Sequence, residues 1–178
     1  MSEQTLKHGF KEITRVNWQE PDSFTAFVNI NFETGEKTDI SADERTEMFL
    51  KPQLSNEVPL ELQSQYEVAR ATFVYGYFFY PLHTLGFEQL LRVGEAAITQ
   101  KCLTLLIAKS SAKFSRKLIK LKKHGILNEE EFKVWNNLKD LRNDFTHANI
   151  QRIIFPDDAL KYLESITDRI NNLFQNQS

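Results

Sequence analysis

Residues 62–81 read LQSQYEVARATFVYGYFFYP, and this stretch decides the fold class. Leu62, Tyr66, Ala69, Phe73, Tyr77 and Tyr80 follow one another at steps of four, three, four, four and three residues. That is the period of an α-helix, and Pro81, with no amide to donate, is expected to stop it. Six of the eight residues 73–80 are aromatic, so the segment is apolar nearly all round. Such a helix belongs deep in a bundle or in a contact between subunits.

Helical signals continue towards the C-terminus. Residues 82–109 form a mostly apolar helix interrupted by Glu88, Arg92, Glu95 and Thr99, a narrow polar stripe at steps of four, three and four. Two accounts of the stripe stand side by side. It is a solvent-facing line held by its own side-chain pairs, or it carries Glu95 or Arg92 as orienting partners of a site on another helix. Residues 113–123 make a basic helix that His124 and Gly125 end, with glycine in the usual stop position. Asn128 and the acids Glu129, Glu130 and Glu131 start the next helix, which places Val134, Leu138, Leu141 and Phe145 on one face. Pro156, Asp157 and Asp158 open the last, with Leu163, Ile166, Ile170 and Leu173 as its apolar side.

Towards the N-terminus the period changes. Phe24, Ala26, Val28, Ile30 and Phe32 alternate with Thr25, Phe27, Asn29, Asn31 and Glu33, the pattern of a strand ending at the turn Thr34-Gly35-Glu36. Residues 36–40 are expected to return as a weak hairpin, followed by a short helix over 41–49 that Ser41 caps and Pro52 limits. The expected fold is all-α: a bundle of four to five helices over residues 59–178, with an N-terminal arm over 1–58 that carries a short strand or hairpin and packs on the bundle.

Bulk properties fit a globular protein with a real core: 178 residues, 41% hydrophobic and 26% charged. Cys102 is the one cysteine, which excludes an intrachain disulfide and suits a reducing compartment. The N-terminus is polar rather than signal-like, and no apolar run reaches the length of a membrane span. A cytoplasmic location, without membrane insertion, is expected. His8, His83 and His124 have no ligand-like spacing to one another or to Cys102, and the six glycines form no phosphate loop, so neither a metal nor another cofactor is expected.

The net charge of −2 conceals a strong asymmetry. Residues 109–123 hold seven bases (Lys109, Lys113, Arg116, Lys117, Lys120, Lys122 and Lys123) and no acid, while the remainder carries 15 basic and 24 acidic groups. Such a segment is either a footprint for a polyanion or a solvated helix face over the apolar line Phe114, Leu118 and Leu121.

The densest chemistry lies in Leu141-Arg142-Asn143-Asp144-Phe145-Thr146-His147. Arginine brings a permanent charge and a planar fork of donors that matches phosphate oxygens. Histidine exchanges a proton near neutral pH. On a helical wheel Arg142 falls at the flank of the Val134–Leu138–Leu141–Phe145 face, and Asn143 and His147 lie together on the far side, where the amide can orient the imidazole. Arg142 and His147 are about 140° apart, so a loosened helix end or a second subunit has to bring them to one phosphate. The plain alternative is that Arg142 pairs with Asp140 or Glu95 and His147 only decorates a helix end.

With Arg142 and Asn143 followed at the short spacing by His147, the chain resembles the HEPN superfamily (higher eukaryotes and prokaryotes nucleotide-binding domains). The signature of those helical bundles is an arginine, a polar residue, a few variable residues and a histidine late in the bundle. Arg92-Val93-Gly94-Glu95-Ala96-Ala97 and the approach over residues 135–141 add to the likeness, which covers about residues 59–175 and leaves 1–58 outside. The resemblance implies a metal-independent endoribonuclease of the toxin or antiviral-defence kind, active as a homodimer with the two motifs facing each other. It implies His147 as general acid or base, Arg142 as stabiliser of the transition state, and Asn143 as the orienting group. It also implies RNA as substrate, tRNA included, guided by Lys113, Arg116, Lys117, Lys120 and Lys123, with an antitoxin or a nucleotidyltransferase-type protein as a candidate partner class. Other members bind nucleotides or RNA without cutting, or serve as structural dimerisation modules.

Overall fold

The structure is a computed structural model, and it describes residues 6, 7, 9–25, 28–30, 33–146 and 153–175. The fold is all-α, with six helices among the described residues: α1 (Ala42–Leu50), α2 (Leu60–Tyr75), α3 (Leu82–Thr104), α4 (Phe114–Lys123), α5 (Glu129–Thr146) and α6 (Pro156–Phe174). Two small antiparallel hairpins precede them, β1 (Leu6–Lys7) with β2 (Phe10–Lys11) and β3 (Val28–Ile30) with β4 (Lys37–Asp39). In the second, Val28 pairs with Asp39, Asn29 with Thr38 and Ile30 with Lys37, and Gly35 takes φ 70° in the turn. The alternation expected from Phe24 is shorter than its pattern: residues 23–25 form a turn of 3₁₀ helix, because Asp22 draws the Phe24 amide onto its Oδ1 at 3.1 Å. Ala26, Phe27, Asn31 and Phe32 lie outside the described residues.

Helix α3 is the axis, packed by α2, α4, α5 and α6. Its buried residues Phe87, Leu90, Val93, Ala97, Ile98 and Cys102 meet Tyr66 and Phe73 of α2, Leu118 and Leu121 of α4, Trp135 of α5 and Leu163, Ile166 and Ile170 of α6 in one core. Phe49 of α1 and Val58 join the same core. Small residues allow two close approaches. A Cβ on Gly86 would stand 2.8 Å from the Phe73 ring, and one on Gly94 would stand 3.2 Å from the Trp135 ring.

The caps follow from the sequence. Ser41 and Glu44 form a capping box on α1, and Asn128 with Glu131 does the same for α5, at 2.9 and 3.2 Å. Helix α4 closes with Gly125 at φ 71°, its amide bonded to Lys122 and that of Ile126 to Leu121, a Schellman turn. Helix α3 closes the same way five residues before its expected end, with Leu106 at φ 55° where glycine would be usual. The Leu106 amide bonds Leu103 and that of Ile107 bonds Cys102, both at 3.0 Å.

Helix α2 also ends early, at Tyr75 rather than Tyr80. Gly76 follows the last helical residue, and a side chain there would run into the buried ring of His83, with a Cβ only 2.3 Å from the nearest ring atom. The aromatic residues 77–80 form a turn, and the arm covers it. Phe10 meets Phe79 and Tyr80 edge-on or tilted, and Phe24 meets Tyr80. The Asp22 amide donates to the Tyr77 carbonyl at 2.8 Å, and Asp22 Oδ2 accepts the Tyr80 amide at 3.0 Å. Lys11, 3% exposed, donates to the carbonyls of Glu20 and Phe78. The arm thus satisfies backbone groups that a premature helix end leaves open.

Candidate functional site

Arg142 donates from Nη1 to Oε2 of Glu95, which joins the motif on α5 to the polar stripe of α3 across 47 residues of chain. Both side chains are 34% exposed, so the pair stands at the edge of solvent. At that exposure an ion pair stabilises by about 0–1 kcal/mol, and its larger effect is to fix where the guanidinium points. An arginine has five N–H donors. The bond to Glu95 is the one hydrogen bond of the guanidinium to a described residue, which leaves donors for a ligand.

The packing of α5 corrects the expected helix face. Its most buried residue is Trp135, 2% exposed, and the inward line runs through Trp135, Leu138, Arg142 and Phe145. Val134 and Leu141 sit beside that line, not at its centre. Arg142, expected at the flank, therefore lies on the inward line, seven residues from Trp135, and points at α3. The signal was in the sequence: Trp135 and Arg142 stand two helical turns apart. Gly94 makes the approach possible, since its missing side chain leaves room for the Trp135 ring beside Glu95. Arg142 and Glu95 line a small recess with Leu91, Gly94, Trp135 and Leu138. Phe145, at the end of the helix, is anchored edge-on against Phe87 at 5.0 Å.

Of the two acids considered for Arg142, Asp140 is engaged elsewhere, 3.1 Å from Lys139. Asn143 is exposed on the outer face, as its helical position predicts. His147 lies outside the described residues, so the structure gives no geometry for the Arg142–His147 pair.

Among the described residues the side chains of the stripe on α3 do not bond one another. Thr99 donates to the Glu95 carbonyl at 2.8 Å and accepts from Lys117 of α4 at 2.9 Å. Arg92 is exposed and makes no hydrogen bond or ion pair with a described residue. Arg92, Glu95 and Thr99 together line an open groove with α2.

The basic helix divides in two. Lys113, Arg116 and Lys123 are exposed and present their charge to solvent. Lys117, expected with them, turns the other way. It is 4% exposed and donates to Thr99 and, at 2.8 Å, to the Ser110 carbonyl. Lys120 is half-buried and donates to the Ile107 carbonyl, so these two lysines tie down the segment 105–113. Lys120 also joins Lys109 and Arg116 around an outward cleft. Lys122 pairs with Glu129 at 2.7 Å and lies over the Phe132 ring.

Among the described residues no group of three or more His, Cys, Asp and Glu is placed to hold a metal ion, and no helix is long and apolar enough to cross a membrane. No family model, no curated protein and no solved structure matches the chain.

Proposed function

We propose that this protein is a HEPN-type, metal-independent endoribonuclease whose site is built from Arg142, Asn143 and His147 and works as a homodimer. The observation that carries the reading is the Glu95–Arg142 pair, which fixes an arginine at the solvent edge of the bundle on the helix that leads into His147. In this reading His147 takes the proton of a ribose 2′-hydroxyl or gives one to the leaving 5′-oxygen. Arg142 stabilises the charge that builds on the phosphorus oxygens, and Glu95 holds its fork in place. Asn143 orients the imidazole. Lys113, Arg116 and Lys123 attract the RNA backbone through a salt-sensitive, sequence-independent term. Attack by the 2′-hydroxyl limits the substrate to RNA and leaves cyclic phosphate and 5′-hydroxyl ends.

A second reading, RNA or nucleotide binding without cleavage, is favoured by the same carboxylate, because it offsets the arginine charge that catalysis would use. The experiment that separates them is incubation of the protein with total tRNA and with a single-stranded RNA in EDTA. Cleavage by the wild type, with cyclic phosphate ends, and its loss in His147→Ala and Arg142→Ala support the nuclease. Binding that persists in all three proteins without any cleavage supports the second reading.

A further inference from the structure

Lys117 is a buried cation that makes no ion pair with a carboxylate of a described residue. The residue is 4% exposed, and its ammonium has two neutral acceptors, the Thr99 hydroxyl at 2.9 Å and the Ser110 carbonyl at 2.8 Å. An ammonium has three donors, and a buried cation is costly unless it is paired. The groove between α2 and α3 passes this group. At its other end, seven residues or roughly 10 Å along α3 from Thr99, stands Arg92, which pairs with no described residue. Gln65 and Gln100 line the space between, with amides that both donate and accept. Of the two carboxylates in the groove, Glu95 is neutralised by Arg142, and Glu61 at the start of α2 makes no ion pair with a described residue.

From this arrangement we infer that the α2–α3 groove is a phosphate-binding site, in which Lys117 and Arg92 supply the charge and the glutamine amides contact what the phosphate is attached to. The site uses no atom of Arg142, Asn143 or His147, and it stands whether or not the protein cuts RNA. Two sources present the same chemistry: a free phosphate or mononucleotide, and a phosphodiester of an RNA strand.

Titration calorimetry at constant ionic strength tests it, with inorganic phosphate, adenosine 5′-monophosphate and a short oligoribonucleotide as probes and chloride as the control. Binding of the first two assigns the groove to a small ligand, and binding of the oligonucleotide alone assigns it to a strand. Either result supports the site if Arg92→Gln weakens it about tenfold, the loss of one charge-assisted contact, and if Glu61→Gln strengthens it. Lys117→Met removes the buried charge and keeps the stem. Because that variant also unties residue 110, the exposed Arg92 and Glu61 substitutions decide the matter. RNA cleavage measured on the same Arg92→Gln and Glu61→Gln variants separates a failure of this site from a failure of the nuclease reading, because neither residue belongs to the Arg142, Asn143 and His147 set. Binding of none of the three probes, or equal affinity in Arg92→Gln and the wild type, overturns the proposal.

Discussion

Arg45 and His83, 38 residues apart, meet in the interior with Nη2 of the guanidinium 3.0 Å from Nε2 of the imidazole. An arginine can only donate, so Nε2 accepts and the ring proton sits on Nδ1, which donates to the Tyr80 carbonyl at 2.9 Å. The Arg45 guanidinium also donates to the Thr25 carbonyl and lies 5.3 Å from the centre of the Tyr77 ring. One neutral histidine and one cation thereby join α1, the arm, and the turn between α2 and α3. Burial lowers the pKa of Arg45 to about 10, with Tyr77, Asp157 and Asp22 acting in the opposite sense, and the group remains charged at neutral pH.

Burial lowers the pKa of His83 to about 4 from its usual 6.5, with the Tyr80 carbonyl opposing and Arg45 adding to the fall. The unfolded chain therefore takes up this proton first as pH drops. The stability held by the neutral ring is complete above pH 6.5 and is lost as pH falls from 6.5 towards 4, on the order of 3 kcal/mol in all. Denaturant unfolding of the wild type and His83→Gln at about pH 7 and about pH 4.5, on either side of the usual histidine range, measures it. The wild type should lose more stability than the variant over that interval, and parallel losses would remove His83 as the cause.

The Gly76 backbone lies against the same ring. A Cβ there would stand 2.3, 2.6 and 2.8 Å from three ring atoms of His83, a contact that cannot be accommodated without movement. Gly76→Ala should cost on the order of 3 kcal/mol, at the upper end for an overpacked core. Gly94→Ala meets one edge of Trp135 at 3.2 Å and should cost less, about 1 kcal/mol. Thermal unfolding ranks the two. If the steric account holds, the cost of Gly76→Ala shrinks when His83 is first cut to alanine.

The fold was legible wherever local chemistry and long-range packing agreed. Ser41, Asn128 and Gly125 mark helix ends in the sequence and cap them in the structure. The steps of three and four residues located the helices, and Gly35 located the hairpin turn. Legibility failed where a distant residue set the local structure. Position 76 must be glycine because of a ring on the next helix, and Tyr77 and Tyr80 keep a helical spacing beyond the end of α2. Lys117 sits in a row of exposed bases in the sequence, yet its partners Thr99 and Ser110 come from elsewhere in the chain. The sequence offers Asp140 and Glu95 as candidate partners of Arg142, and only packing around Trp135 selects Glu95.

Leu106 offers a test of backbone strain. It occupies the left-handed position that Gly125 fills at the end of α4, and its side chain is 92% exposed. A β-carbon costs about 1 kcal/mol there, and this side chain packs on little that would offset it. Leu106→Gly should raise stability by about 1 kcal/mol, or roughly 2–4 °C in Tm for a chain of this size. Gly125→Ala should lower it by about the same amount. A fall in Tm for Leu106→Gly would mean that the exposed leucine makes a stabilising contact, which a concentration series would reveal as association between copies.

Glu95→Gln separates a positioning role from a packing role for the pair with Arg142. The substitution keeps the shape and an acceptor but turns a charge-assisted bond into a neutral one. Because the pair is a third exposed, the effect on stability should be small, within about 1 kcal/mol. If the carboxylate holds the guanidinium for phosphate chemistry, kcat for RNA cleavage should fall about tenfold while KM stays level or drops, since the uncompensated Arg142 then attracts the phosphate more strongly. Arg142→Lys keeps the charge and loses the planar fork, and should cost more, about a hundredfold in kcat. A drop in Tm of many degrees in Glu95→Gln, with kcat unchanged, would make the pair a structural tie between α3 and α5 and would leave the cleavage reading without its supporting residue.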